Sequence, residues 1–524
     1  MKTHGKVAIL ISAAALFAAM IACASAPGVP QPPNVVQTVV VNEAVAPMGR
    51  AVTAGLSTGG TATVNDQPYD AVFFENYGVN PFIDTEDDHF STFAMDVDTA
   101  SYTVVRRYIG DGNLPDKDSV RLEEFVNYFK HYYEPPGEGA FSIDLQGSPS
   151  PFGGEKYYLM RAGLQGKIIA DENRQDATLI FVIDVSGSMD MENRLGLVKQ
   201  TLALLVDQLR PTDEVGIVVY GNQGRVLLKP TSGADKATIL RAIDGLYPNG
   251  STNAEEGLQL GYQLAAEYLR PDRITRIILL SDGVANVGNT GPESILRTIS
   301  SYVDQGVSLS TVGFGMGNYN DVLMEQLAND GNGSYYYVDT LNEAKRVFVE
   351  NLTGTLQTIA RDAKIQVDFN PKVVSRYRLL GYENRALSDD QFRDDTVDAG
   401  EVGAGHDVTA LYEIKFQDDA ADGPAATVYI RYQDPETGEV LEESRAIARS
   451  EFSESFEGMP ARFQLDAAVA EFAEILRKSY WAQDSSLTSV RELAQRVSTM
   501  LPDDTDVTEF VNLVAQAERL TESQ

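Results

Sequence analysis

The sequence predicts an α/β protein with a doubly wound, mainly parallel sheet in mid-chain and β-sandwich-like and helical regions on either side. Three observations predict it. Continuous apolar runs at Thr178–Ile183, Val215–Tyr220, Ile274–Leu280 and Val307–Val312 read as strands buried on both faces. Helical spacings lie between them: after Asn193 the apolar positions Leu195, Val198, Leu202, Leu205 and Leu209 recur every three or four residues. Further on the period falls to two, at Val408, Ala410, Tyr412, Ile414 and Phe416 and again at Val428, Ile430 and Tyr432, the pattern of antiparallel sandwich strands.

Composition bounds the chemistry. A chain of 524 residues holds roughly three domains at ~150 residues each. Hydrophobic residues at 43% and aromatics at 9% supply sizeable cores, which excludes global disorder and a fibrous fold. The formal charge of −34 argues against nucleic acid as a partner and against docking on anionic lipid. One cysteine, Cys23, excludes an intrachain disulfide, a cysteine-ligated zinc site and an iron–sulfur cluster, and four histidines leave little for a multi-histidine metal site. Carboxylates and hydroxyls remain to carry the chemistry.

Residues 1–22 read as a signal peptide. Lys2 and Lys6 precede an apolar stretch, Val7 to Ile21, that is short of the ~20 residues a membrane span needs. It ends in Met20-Ile21-Ala22-Cys23, which resembles the lipobox of bacterial lipoproteins. The resemblance implies cleavage before Cys23 and lipid on that residue, which anchors a protein without a spanning helix. The alternative is an ordinary signal peptide cut near Ala24 or Ala26. Residues 23–75 read as a disordered tether: Ala24 to Pro68 has no aromatic residue and contains Pro27, Pro30, Pro32, Pro33 and Pro47, too little apolar surface to offset chain entropy.

Residues 76–170 form an N-terminal module. Phe93 to Thr99 reads as a strand running into a helix with Tyr102, Val105, Tyr108 and Ile109 on its apolar face; a second helix spans Val120 to Phe129, and strands follow at Phe141–Leu145 and Lys156–Ala162. Asp96-Val97-Asp98-Thr99 also matches the short nucleophile loop of haloacid-dehalogenase-type phosphatases, but no later lysine and paired-aspartate motifs accompany it, and a helix cap by Asp98 or Thr99 is the expected role.

The central domain spans 174–355. Its first strand ends in Asp184-Val185-Ser186-Gly187-Ser188, its Ile274–Leu280 strand in Ser281-Asp282-Gly283, and between them Asn249-Gly250-Ser251-Thr252 precedes a helix. Ligands of doubly wound sheets bind at the carboxyl ends of strands, so these groups converge on one crevice. All are hard oxygen donors of the type Mg²⁺ takes. A plainer role is available to each piece: Asp184 and the serines as helix caps, and Ser281-Asp282-Gly283 as a turn. Asp-x-Ser-x-Ser after the first strand, a lone Thr, then Asp-Gly after a later strand resembles the metal-ion-dependent adhesion site (MIDAS) of von Willebrand factor type A (VWA) domains, over about Gln175 to Leu352. The resemblance implies a Rossmann-like VWA fold holding Mg²⁺ (or Mn²⁺). Ser186 and Ser188 would bind directly, Thr252 directly or through water, and Asp184 and Asp282 largely through water; a glutamate or aspartate of a protein partner would complete the coordination.

Residues 361–452 form a β-rich C-terminal domain expected to join with 141–165 in one sheet assembly, which makes the central domain an insertion in a sandwich. Gly381-Tyr382-Glu383-Asn384-Arg385 and the run Ala399 to His406, together with Arg121-x-Glu123-Glu124-Phe125 upstream, resemble a bacterial VWA lipoprotein family with an extra N-terminal module. Asp389 to Glu401 carries six acids and one arginine without EF-hand spacing and is expected to be a solvated loop. His131 and His406 have no ligand partners at motif spacing, so structural roles are expected. Residues 456–524 form a helical tail whose first stripe is Phe463, Leu465, Val469, Phe472, Leu476 and Tyr480, more consistent with packing against a neighbouring domain than with a partner groove.

Together these features predict a non-enzymatic binding, adhesion or scaffold protein, lipid-anchored in a bacterial envelope and facing outward; Ala24 is not the Asp that retains enterobacterial lipoproteins in the inner membrane, which favours the outer membrane in a cell that has one. A Mg²⁺-dependent hydrolase or phosphatase, and a metal-independent envelope scaffold, are the alternatives.

Overall fold

The computed structural model of the chain describes residues 57–58, 63–64, 67–68, 73–95, 97–250, 252–283, 297, 300–315, 320–420 and 422–523. Cys23, the leader, most of the tether and Asp96 lie outside the described residues. Among the described residues no helix is long and apolar enough to cross a membrane.

Strand β1 (Phe90–Ala94) and helices α1 (Ala100–Gly110) and α2 (Leu122–Asn127) are followed by the antiparallel pair β2 (Phe141–Pro149) and β3 (Tyr157–Gly166). The chain then enters the central sheet. Its elements are β4 (Asp176–Asp184), α3 (Arg194–Gln208), β5 (Glu214–Tyr220), β6 (Arg225–Ser232), α4 (Lys236–Asp244), α5 (Ala254–Glu267), β7 (Arg273–Ser281), β8 (Val307–Phe314), α6 (Asp321–Asn329) and β9 (Tyr335–Val338). The strands lie in the order β6-β5-β4-β7-β8-β9, all parallel except β6, which runs antiparallel along the edge. Chain order therefore reverses between β4 and β7, the point at which doubly wound sheets bind ligands. Ile180, Val182, Ile277 and Leu279 face α5, α6 and α1; Phe181, Ile183, Ile278 and Leu280 face α3 and α4. Each strand is buried on both sides, which is why its sequence reads as an unbroken apolar run.

The remaining strands are β10 (Thr358–Phe369), β11 (Val374–Leu380), β12 (Gly400–Gly403), β13 (Asp407–Phe416), β14 (Pro424–Gln433) and β15 (Val440–Ala448). One sheet runs β12-β10-β14-β15 with β1 also on β10; the other runs from Ile83–Asp84 through β11, β13 and β3 to β2. Strand β3, before the central domain, pairs along its length with β13, after it, so the central domain is inserted into a sandwich closed by chain from both sides. Phe141, Met160, Ile365, Val374, Tyr412 and Val428 fill the space between the two sheets.

The outer face of the β13 sheet is covered as well. Helices α7 (Ala461–Leu476), α8 (Leu487–Met500) and α9 (Thr505–Glu522) pack there with α2, burying Phe125, Phe463, Phe472, Val490 and Phe510 beside Leu159 and Leu411. Ion pairs lie under this layer, Arg161 with Asp466 at 2.9 Å and Arg378 with Glu413 at 2.8 Å. Helix α1 is buried on two sides, turning Tyr102 and Val105 to the helical tail and Val104 and Tyr108 to the central sheet. Two expectations need correction. Tyr480 lies past the end of α7 and is 69% exposed rather than in the stripe. Thr99 is the N-cap residue of α1 but makes no side-chain cap bond, and Asp98 accepts the backbone N–H of Tyr335 at 2.9 Å, tying α1 to β9.

Candidate metal centre

Parallel register sets the carboxyl ends of β4 and β7 side by side, with Leu280 opposite Ile183. Asp184, the last residue of β4, and Ser281, the last of β7, therefore meet: Ser281 Oγ donates to Asp184 Oδ2 at 3.1 Å. The chain leaves β4 in a tight turn in which Ser186 N–H donates to Asp184 Oδ1 at 2.7 Å. This turn points both serines inward, Ser186 Oγ lying 3.0 Å from Ser188 Oγ, and Ser188 Oγ donates to Asp282 Oδ1 at 3.1 Å. Hydrogen bonds thus link Asp184, Ser186, Ser188 and Asp282 across the ends of two strands, the first through the Ser186 N–H and the others oxygen to oxygen.

Thr252 reaches the same end on a neighbouring loop. Gly187 N–H donates to Gly250 O at 2.9 Å and Asn249 N–H to Val185 O at 2.5 Å, so that loop is seated on the serine turn. The Thr252 side chain is half-buried and is not hydrogen-bonded to the other four. The glycines that need their conformation are Gly250 (φ +91°), where a Cβ would collide with Asn222, and Gly283 (φ +137°) directly after Asp282. Gly187 is not in the left-handed region.

Asp184 is fully buried, and Ser186 and Asp282 nearly so. Burial, then the negative charge of Asp282, push the Asp184 carboxyl up to about 7 against hydrogen bonds from Ser186 and Ser281. Two carboxylates held this close need a cation. The cation present is Arg194, the first residue of α3, whose Nη1 donates to Asp282 Oδ2 at 2.8 Å. A Cβ on Gly315, just beyond β8, would collide with the Arg194 side chain, so that glycine makes its room. The donor set is all oxygen, two hydroxyls and two carboxylates, and fits a hard divalent cation.

Residues 178–350 match the family described as von Willebrand factor type A domain, residues 69–161 the one described as von Willebrand factor, and residues 354–520 the one described as Uncharacterized protein YfbK, C-terminal. Over 475 residues the chain is 34% identical to "Uncharacterized protein YfbK" of Escherichia coli, spanning 86% of this chain and 81% of that one. The chain belongs to the YfbK family. It is thus a bacterial VWA protein with a family-specific C-terminal domain, built on the α/β VWA fold. It is also 31% identical over 163 residues to human inter-alpha-trypsin inhibitor heavy chain H4, covering 30% of this chain and 17% of that one. Among solved structures, a von Willebrand factor type A protein from Catenulispora acidiphila matches 71% of this chain and 89% of its own at 15% identity and a TM-score of 0.43. A VWA domain supports a protein-interaction or adhesion role.

Within this YfbK-family chain, sequence reasoning overlooked Arg194 and the part played by Ser281. Arg194 reads as an ordinary helix residue, and its reach to Asp282 depends on Gly315, far away in sequence. The acidic loop is exposed at Asp390, Asp394, Asp395 and Asp398, as expected of a solvated loop, and it has features the sequence did not show. Phe392 anchors it in the core, and Asp398 and Glu401 meet Asp362 of β10 with carboxylate oxygens within 4.8 Å of one another. The Asp98 carboxylate is buried and faces Arg385 Nη2 at 3.4 Å, which suits a structural anchor and not a solvent-facing acid. His131 is buried between Asp466 (2.8 Å) and Asp407 (3.2 Å).

Proposed function

We propose that the central domain binds Mg²⁺ (or Mn²⁺) and uses it to engage a protein partner through an acidic side chain. Ser186, Ser188 and Thr252 would hold the ion, with Asp184 and Asp282 supplying the compensating charge. When bound, the ion would offer a position to a partner's carboxylate. The observation that carries this reading is the convergence of Asp184, Ser186, Ser188 and Asp282 at the switch point of the sheet, where two buried carboxylates lie against two hydroxyls.

The role proposed is binding and not catalysis. The side-chain groups hydrogen-bonded to the four residues, among those described, are Ser281 and Arg194. Neither is a general base, which metal-assisted hydrolysis would use. We further propose that lipid on Cys23 holds the protein at a bacterial envelope membrane, outer-membrane or cell-surface side, and that the tether of 23–75 lets the body reach its partner. A pull-down from the native envelope, with and without a divalent chelator, tests this function. A partner retained in Mg²⁺ and lost in chelator supports it; the same partner retained in both, or none in either, contradicts it.

A further inference from the structure

At the opposite end of the central sheet from the metal centre lies a cavity of about 660 Å³. The first residues of β7 and β8 form one wall, and β10, β12 and the turn after β14 form the other. Its volume is that of a small-molecule site. Four arginines line it, Arg270, Arg273, Arg276 and Arg361, in a protein whose formal charge is −34.

Two of the four are spoken for. Arg270 pairs with Glu214 at 2.6 Å, and Arg273 stands 3.8 and 3.9 Å from Glu214 and Asp176 while its Nε finds no partner. Arg276 differs. It is 4% exposed and hydrogen-bonds only neutral groups, Ser310 Oγ at 2.8 Å and Leu356 O at 3.5 Å. Its Nε is buried without a partner. Among the described residues no carboxylate oxygen lies within 4.0 Å of Arg276, although a buried guanidinium is normally paired. Arg361, exposed at the rim, has no ion pair either.

Two acids also line the cavity, Glu401 and Glu436. Burial, then the charges of Asp398 and Asp362, push the Glu401 carboxyl well above its ordinary range, and its Oε1 is without a hydrogen bond. The cavity therefore presents a buried guanidinium whose Nε has no partner, with a second arginine at the rim.

We propose that this cavity binds a small oxyanion, the carboxylate or phosphate group of a small molecule, with Arg276 at its base and Arg361 at its rim. A guanidinium fork matches either group in two-point geometry. The site is built where the inserted domain meets the sandwich, so its ligand would touch both.

The test is calorimetric titration of the full chain with citrate and, separately, pyrophosphate, at fixed ionic strength and in buffer freed of divalent cations by a chelating resin, so that the metal centre plays no part. Saturable binding of one probe is expected, weakened about tenfold in Arg361→Gln and lost in Arg276→Gln. Citrate alone binding assigns a carboxylate, and pyrophosphate alone a phosphate. Because Arg276 is buried, Arg361→Gln decides the matter should Arg276→Gln not fold. No saturable binding of either probe up to about 10 mM, or wild-type binding by Arg361→Gln, overturns the proposal.

Discussion

The guanidinium of Arg194 donates to Asp282 at 2.8 Å, at the edge of the proposed metal centre. A cation fixed there stabilises a carboxylate pair that would otherwise repel, and it opposes a second cation entering beside it. Arg194→Gln should tighten Mg²⁺ binding several-fold, worth about 1 kcal/mol at the effective dielectric of a protein site, while lowering the stability of the metal-free protein. Calorimetric titration of Mg²⁺ into variant and wild type checks this, and equal or weaker binding by the variant would count against it.

The N-terminal module is tied to the central domain by buried ion pairs. Arg121 Nη1 stands 2.7 Å from Asp321 Oδ2, with both side chains almost fully buried. Removing one partner strands the other charge, so Arg121→Met should cost about 3–5 kcal/mol. Urea unfolding measures this; a loss below about 1 kcal/mol would show that the pair is not holding the domains together.

His131 gives the fold a pH dependence. Burial alone would lower its pKa, but the charge of Asp466 and hydrogen bonds to Asp407 and Asp466 outweigh it and raise the imidazolium to about 9, from an ordinary value of 6.5. A raised folded-state pKa means the charged form is favoured by folding. This stabilisation is complete below pH 6.5 and disappears as pH rises through about 9. Wild type should lose about 2–3 kcal/mol more than His131→Gln between pH 6 and 10. Parallel losses in the two proteins would refute the assignment.

Phe472 and Tyr480 are near in sequence and far apart in consequence. Phe472 is fully buried between Phe125 and Phe510, whereas Tyr480 is 69% exposed. Phe472→Ala should destabilise by about 3–5 kcal/mol and Tyr480→Ala by no more than about 0.5. Thermal melts of both variants test the helical layer directly.

The central sheet was legible because its strands are buried on both faces, and unbroken apolar runs such as Thr178–Ile183 mark that burial without ambiguity. Edge strand β6 was not, since Arg225–Ser232 faces solvent and alternates weakly. Strand β9 escaped because it has only four residues, three of them tyrosines. In the sandwich, period two correctly gave the inner face of β13, but Thr409 and Leu411 on the outer face are buried too, under the helical tail. No local pattern announces a third layer.

The oxygen donors of the metal centre were legible for a different reason: each sits at the end of a readable strand or just before a readable helix, so topology gathers them. What balances them was not. Arg194, the room that Gly315 leaves for it, and the unpaired Arg276 are matters of tertiary placement, and nothing in their neighbouring residues distinguishes them.

The most direct measurement is Mg²⁺ titration of the wild-type chain and Ser186→Ala by calorimetry, with circular dichroism confirming that both are folded. Saturable binding of one Mg²⁺ by wild type, and its loss in a folded Ser186→Ala protein, is the predicted result. No Mg²⁺ binding by wild type, or undiminished binding by Ser186→Ala, would contradict the account at its centre.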